Sequence, residues 1–269
     1  MPAINTNISA LKAQNALATN SRAMSSAMEQ LSTGSRVNSA KDDAAGLAIG
    51  TTMTSQIRGL NQAVRNANDG VNLLQTTEGA MVETTNMLQR MRELAVQSVN
   101  ATNSNEQRGY LNNEFSELSK QIDLINSQTF WNSTKVMSAD TLTFQVGNSD
   151  TTTFTVTLDD TSVSGLGIKD AAVTTAGSAS DSLALIDDAL GIINAQRSSL
   201  GATMNRLSYT ADNLSNVSAN LAASRSSIMD TDYATASSQL SKTQIIQQAA
   251  TAMLAQANQQ PQSVLSLLK

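Results

Sequence analysis

IDDALGIINAQRSSLGATMNRLSYTADNL, residues 186–214, places Ile186, Leu190, Ile193, Leu200, Met204, Leu207, Ala211 and Leu214 in one seven-residue frame. Arg197 is a polar break, and the frame runs on through Ser218, Leu221, Arg225 and Ile228. Apolar residues alternating at four and three positions draw one stripe along an α-helix that packs lengthwise against others. At 1.5 Å per residue, Leu183 to Ile228 predicts a rod of about 70 Å. The two prolines, Pro2 and Pro261, stand near the chain ends, so long helices can run uninterrupted between them. Such a rod suits length and lateral packing rather than a pocket.

Charged residues make up 14% of the chain and aromatics 3%, while small polar residues dominate. Outer faces of that kind let helices approach closely on several sides, as packed assemblies need. The net charge is −5, and the 17 lysines and arginines are scattered, which argues against a nucleic-acid footprint. Cysteine and histidine are both absent, which removes disulfides, thiolate chemistry, histidine metal ligands and histidine-based triads. The pairs Asp42–Asp43, Asp159–Asp160 and Asp187–Asp188 point about 100° apart on a helix and chelate poorly, so neither a metal nor a cofactor is expected. No apolar stretch approaches the roughly 18 residues of a membrane span. The start, MPAINTNISALKAQ, lacks a basic region followed by an apolar one, so a route without a cleaved signal is expected if the protein is exported.

The fold class expected is mainly α: a long antiparallel helical coiled-coil rod with a small β-hairpin region. A first helix spans about 4 to 33, with Ile4, Ile8, Leu11, Leu17, Met24, Met28 and Leu31 on an interrupted stripe and Gly34 as its C-terminal cap. In the connector GSRVNSAKDD (34–43), Ser39 reads as an N-cap with Asp42 in the capping-box position. The second helix covers about 44 to 100. Met53, Ile57, Leu60, Val64, Ala67, Val71 and Leu74 alternate without a miss, and the frame continues through Glu78, Met81, Thr85 and Leu88. After the turn ATNSN (101–105), Ser104 and Gln107 match a capping box, and Leu111, Phe115, Leu118, Ile122 and Ile125 give a third helix folded back on the second.

From Thr134 the period changes to two. Leu142, Phe144 and Val146, then Phe154, Val156 and Leu158, flank Gly147-Asn148-Ser149-Asp150 and predict a β-hairpin within about 134–158. Residues 160 to 180 read as an exposed loop. A fourth helix fills about 181 to 228. The tail, 230 to 269, is a further helix with a break at Pro261. The weak stripes at the two ends predict segments that are disordered in the monomer and helical only when packed on each other and on neighbouring copies.

Four long motifs stand in this order: MPAINTNISAL (1–11), LSTGSRVNSAKDDAAGLAI (31–49), LQRMRELAVQSVN (88–100) and MLAQANQQPQSVLSLLK (253–269). They resemble bacterial flagellin, the filament subunit, over about residues 1–137 and 180–269. The resemblance implies a terminal coiled-coil domain (1–44 and 229–269) lining the filament core and a rod domain (45–228) with its hairpin at about 134–158. Only 159–180 separate the hairpin from the fourth helix, so the outer domains of larger flagellins are missing. The family's Phe-Asn-Gly is replaced here by Phe130-Trp131-Asn132-Ser133. Asn132-Ser133-Thr134 also matches a glycosylation sequon, a short pattern that carries little weight.

By the same resemblance the chain is a structural subunit with no catalytic residues, polymerising into a helical homopolymer for swimming motility. It implies export through the flagellar type III secretion apparatus to an extracellular flagellum. The partners implied are an export chaperone at the C-terminal end, the filament cap and hook-junction proteins, and the host innate immune receptor TLR5. The candidate polymerisation and core-packing residues are Ile4, Ile8, Leu11, Ile246, Met253, Leu265 and Leu268. Family positions matching Arg90, Leu94 and Glu114 contact TLR5. Arg90 and Leu94, four residues apart, are expected on an exposed face off the main stripe, and an ordinary ion pair of Arg90 with Glu93 or Glu114 is the plainer reading of the same residues. The alternative within the family is a hook–filament junction protein. An enzyme grafted on the scaffold is rejected, because a zinc protease insert needs histidines.

Overall fold

The computed structural model describes residues 6–149 and 151–266, with the backbone alone for 260–266. In chain order the elements are α1 (Ile8–Thr33), α2 (Ala44–Val99), α3 (Asn105–Gln128), β1 (Phe130–Trp131), β2 (Thr134–Lys135), β3 (Thr141–Gln145), β4 (Thr153–Thr157), α4 (Ala176–Met229) and α5 (Tyr233–Ser266). They divide into two compact units. One holds the residues up to Ile57 with those from Ala219 onward, and the other holds Arg58–Ser218.

In the unit Arg58–Ser218, α2 and α4 run antiparallel. Arg92 meets Asp187 at 2.7 Å, Glu78 meets Arg197 at 2.7 Å, and the Ser218 hydroxyl donates to Asn61 at 2.9 Å, so a step up one helix is a step down the other. One expected row of α2 is the true core: Leu60, Ala67, Leu74, Met81, Leu88 and Ala95 are all buried at seven-residue spacing. The second row differs from expectation. Val64, Val71 and Glu78 sit on the flanks, and the deep positions are Ala63, Gly70, Thr77, Thr84, Met91 and Ser98. Mostly small side chains line the closest approach, and the larger valines fill the margin. The hydroxyls of Thr77, Thr84 and Thr85 donate to their own helix carbonyls four residues back, so burying them leaves little unsatisfied. In α4 the deepest residues are likewise Ala189 and Gln196 rather than the neighbouring Leu190 and Arg197.

Where α3 folds back on α2, a third row, Leu73, Ala80, Met87 and Leu94, is drawn inward. The expected capping box of α3 is formed: the Ser104 hydroxyl accepts from the Gln107 N–H, and the Gln107 side chain accepts from the Ser104 N–H. Arg108 closes the turn. Its buried guanidinium donates to the carbonyls of Ser98 and Asn100 and to Asn105 Oδ1, placing a cation on the C-terminal carbonyls of α2.

The antiparallel strands β3 and β4 pair Leu142 with Val156 and Phe144 with Phe154, as the alternation predicts. Phe144 packs 3.3 Å from where a Cβ on Gly70 would lie, and Arg206 stacks over the Phe154 ring at 4.7 Å. The segment 160–180 is not an exposed loop. Thr161, Val163, Leu166, Ile168 and Val173 are buried. Asp123 and Asn112 accept from the N–H groups of Val163 and Val173, and the Ser98 hydroxyl donates to the Val173 carbonyl. Side chains of α3 and α2 thus anchor the backbone of a packed segment. Thr175 and Ser178 then start α4 earlier than expected, each side chain accepting from the other's N–H.

In the unit of the chain ends, α2 and α4 again run antiparallel, with Arg225 beside Thr54 at 3.5 Å and Met229 against Gly50. The N-cap of α2 is Asp43, whose Oδ1 accepts from the Gly46 N–H; Ser39 and Asp42 instead make a self-contained turn in the connector. Gly34, at φ 71°, caps α1 as expected. Among the described residues, α1 and α5 are helical and pair with each other. Asn20 donates to the Thr243 carbonyl at 2.8 Å and Asn7 to that of Ala257 at 2.7 Å. The α5 helix also continues past Pro261 to Ser266 instead of breaking there.

Strands β1 and β2 are joined by a two-residue turn at Asn132 (φ 46°) and Ser133 (φ 68°), with Trp131 paired to Thr134 before it. Both turn residues are left-handed, as a tight hairpin turn requires, so Asn132-Ser133 stand where Asn-Gly is usual. A serine at positive φ is strained. Ser133→Gly should therefore raise stability by about 1 kcal/mol in urea unfolding; an unchanged or lower midpoint would show that the turn is not strained.

Candidate functional site

Two surfaces carry the residues singled out from the sequence, one in each unit. On α1 the side facing α5 is Ala10, Ala13, Leu17, Asn20, Met24, Ala27 and Leu31, all buried or half-buried at three- and four-residue spacing. On α5 the matching row is Ala236, Leu240, Thr243, Gln247, Ala250, Leu254 and Ala257. Alanines and polar residues dominate both rows, and Gln247 Oε1 is buried without a hydrogen-bond partner.

Only part of the large apolar set is in these rows: Leu17, Met24, Leu31, Leu240 and Leu254. Ile8, Leu11 and Met28 on α1 and Ile245, Ile246 and Met253 on α5 are exposed. Ile246, Ala249 and Met253 form a second row of their own on α5. Of the expected polymerisation residues, Ile8, Leu11, Ile246 and Met253 therefore face solvent. Ile4 and Leu268, and the side chain of Leu265, lie outside the described residues. Ile245 and Met28 belong to the same exposed set and were missed. Each falls outside the observed heptad row of its helix, and it takes that row to show which side is left over.

The second surface is on α2 and α3. The Arg90 guanidinium donates to Glu93 at 2.8 Å and Glu114 at 2.9 Å. These hydrogen bonds, Glu93's first and Glu114's second, raise the Arg90 pKa above its ordinary value. All three side chains are about half exposed or more, so the pairs contribute little to stability. Next to them, Arg92 holds the Asp187 carboxyl below the usual carboxylate range through a direct hydrogen bond. Gln89, Arg92, Glu93, Val96 and Gln97 line a shallow groove on this face of α2.

Leu94 does not lie on that surface, and the expectation of an exposed Leu94 is corrected. It is 1% exposed and part of the core. The four-residue spacing from Arg90 is real, but α2 is covered on two sides at this level. The third buried row, which α3 creates, takes Leu94 with it.

The described residues contain no cluster of three histidine, cysteine, aspartate or glutamate side chains able to hold a metal ion. They contain no helix long and apolar enough to cross a membrane. Long paired helices, a heptad core and an uncovered apolar row are the features of a protein built for packing. Comparison with known proteins agrees. Residues 4–141 match the bacterial flagellin N-terminal helical region, and residues 183–268 match the bacterial flagellin C-terminal helical region. A flagellin of Halalkalibacterium halodurans is 44% identical over 270 residues, covering 99% of each chain. A flagellin of Bacillus subtilis is 41% identical over 302 aligned residues, again covering 99% of both. The crystal structure of Bacillus cereus flagellin superposes with a TM-score of 0.50 at 28% identity, over 56% of this chain and 88% of that one. This chain belongs to the bacterial flagellin family, as a short form with a reduced middle region.

The burial pattern separates two kinds of substitution. Leu94→Ala and Leu207→Ala should each cost about 2–5 kcal/mol, because each opens a cavity in a closed core. Arg90→Ala should cost less than about 1 kcal/mol. Urea unfolding of the three variants measures this, and a small loss for Leu94→Ala would contradict its burial.

Proposed function

We propose that this chain is the subunit of a bacterial flagellar filament, polymerising through α1 and α5 into a helical homopolymer for swimming motility. The observation that carries the reading is the uncovered apolar row. Ile8, Leu11, Ile245, Ile246 and Met253 are exposed on helices whose mutual interface is made chiefly of alanine and polar residues. Two helices cannot cover each other on every side, so further copies of the same helices are the natural cover. Residues 1–44 and 229–269 act as the assembly domain in this reading, and 45–228 as the rod domain. The proposal includes location in an extracellular flagellum, export through the flagellar type III apparatus, a chaperone for the C-terminal helix, and cap and hook-junction partners; family membership supports it.

Seeding purified monomer with filament fragments tests the proposal by electron microscopy. Long filaments are expected, and thin, smooth ones, because no outer domain separates the hairpin from α4. Deleting residues 250–269 should abolish them while leaving the unit Arg58–Ser218 folded. Monomer that never elongates would refute the proposal. Short rings, or a protein present only in trace amounts in sheared filaments, would favour the hook–filament junction role.

A second reading concerns the Arg90–Glu114 surface, which we propose as the contact for the host receptor TLR5. Support comes from the match of these positions to the family motif and from the exposure of the ion pair. Leu94 takes part only as the core residue beneath it. Arg90→Ala or Glu114→Ala should weaken receptor signalling with little change in stability. Equal signalling by Arg90→Ala and the parent protein would refute the assignment.

A further inference from the structure

Eleven methionines occur in the chain, ten of them among the described residues. Met81, Met91 and Met137 are fully buried, and Met24, Met53, Met87, Met204 and Met229 are half-buried. Two remain exposed: Met28 at 55% and Met253 at 65%. Both are on the terminal helices, and both lie on the sides that α1 and α5 leave uncovered. The Asn7–Ala257 hydrogen bond fixes the pairing, and Met253 and Leu11 each lie one turn along from it, so Met253 stands level with exposed Leu11.

We propose that Met28 and Met253 are oxidation sites through which a peroxide blocks assembly of the free subunit. The inference rests on the assignment of α1 and α5 to polymerisation. In the reaction the thioether sulfur attacks one peroxide oxygen and the O–O bond breaks. That oxygen stays on sulfur as the sulfoxide, and the other leaves and takes up a proton as water. Sulfur is oxidised by two electrons and the peroxide is reduced by two. The product replaces a flexible apolar side chain with a polar one that is a strong hydrogen-bond acceptor. On a solvent-facing helix this costs almost nothing. Buried between copies, a sulfoxide oxygen loses its water, and any such oxygen left without a donor opposes assembly.

The fold also makes the response selective. Exposure governs thioether oxidation, and the deeply buried methionines sit in the core of the unit Arg58–Ser218. A dose of peroxide that modifies the terminal helices therefore leaves that core intact. Assembly would cover Met28 and Met253, so growing filament is protected while unassembled subunit is not. The effect reverses wherever a methionine sulfoxide reductase meets the free chain.

The test uses the full-length monomer and hydrogen peroxide. Peptide mass spectrometry should find sulfoxide at Met28 and Met253 before Met81, Met91 and Met137, and more slowly at the first two in preformed filament. The critical concentration for seeded growth should rise about ten-fold on oxidation, the size expected from one unpaired acceptor buried per subunit. The double variant Met28→Leu/Met253→Leu keeps volume and apolarity, and should assemble normally and resist peroxide. Met28→Gln/Met253→Gln should raise the critical concentration without any oxidant. Oxidised monomer that elongates like untreated monomer overturns the inference, as does a leucine variant that stays peroxide-sensitive. Untreated parent protein that fails to elongate overturns the filament assignment itself, and this inference with it.

Discussion

Two helices packed side by side can each hide only one stripe, and the rest of the structure turns on where that limit is reached. In the unit Arg58–Ser218 further elements relieve it for most of the core, although Val96, Leu124 and Ile192 stay exposed. The α2 helix has α4 on one side, α3 on another and the β3–β4 hairpin against Gly70, so three rows of its residues are buried. In the unit of the chain ends, α1 and α5 have only each other along most of their length. Their mutual rows are alanine-rich, and six of their large apolar residues, Ile8, Leu11, Met28, Ile245, Ile246 and Met253, are left outside. The same heptad grammar thus gives a closed core in one place and an open surface in the other. The proposed assembly would cover the open one.

The polar atoms support this division. Within Arg58–Ser218 the buried hydroxyls and amides are matched locally: Thr77, Thr84 and Thr85 on their own helix, Ser98 and Asn112 on Val173, and Asn126 on the Met137 carbonyl. Arg108 is buried without an acidic partner, and three oxygens receive its donors. Between α1 and α5, Asn20 is matched but the Gln247 oxygen is not. A buried orphan acceptor weakens that pair by about 1–3 kcal/mol relative to a satisfied one. A terminal pair that is thinly packed and incompletely satisfied is suited to rearranging when neighbours arrive.

Much of this was legible from residue spacing. The row from Leu60 to Ala95, the Ser104–Gln107 box, the Gly34 cap and the alternation in β3 and β4 were all visible, since each depends on local geometry alone. What escaped depended on neighbours. Val64 and Val71 scored as core because they are apolar, yet the closest helix approach selects Ala63 and Gly70 for their size. Leu94 read as a surface residue because the third helix, which buries it, is distant in sequence. Residues 160–180 read as a loop because what holds them comes from elsewhere: Ser98, Asn112 and Asp123 on α2 and α3 bond the backbone of Val163 and Val173, and the segment's own composition does not record those partners. At the candidate assembly surface, Ile8, Leu11, Ile246 and Met253 were identified by motif, whereas Met28 and Ile245 required the observed heptad row to show which side is left over.

The central claim is that the uncovered sides of α1 and α5 become buried against other copies of the chain. Amide hydrogen exchange, compared between dilute monomer and assembled protein, measures this most directly. The account predicts that residues 8–33 and 233–259 exchange readily in the monomer and become strongly protected on assembly, while the buried core of α2, α3 and α4 between Arg58 and Ser218 is protected in both. Terminal helices that exchange at the same rate before and after assembly would contradict it.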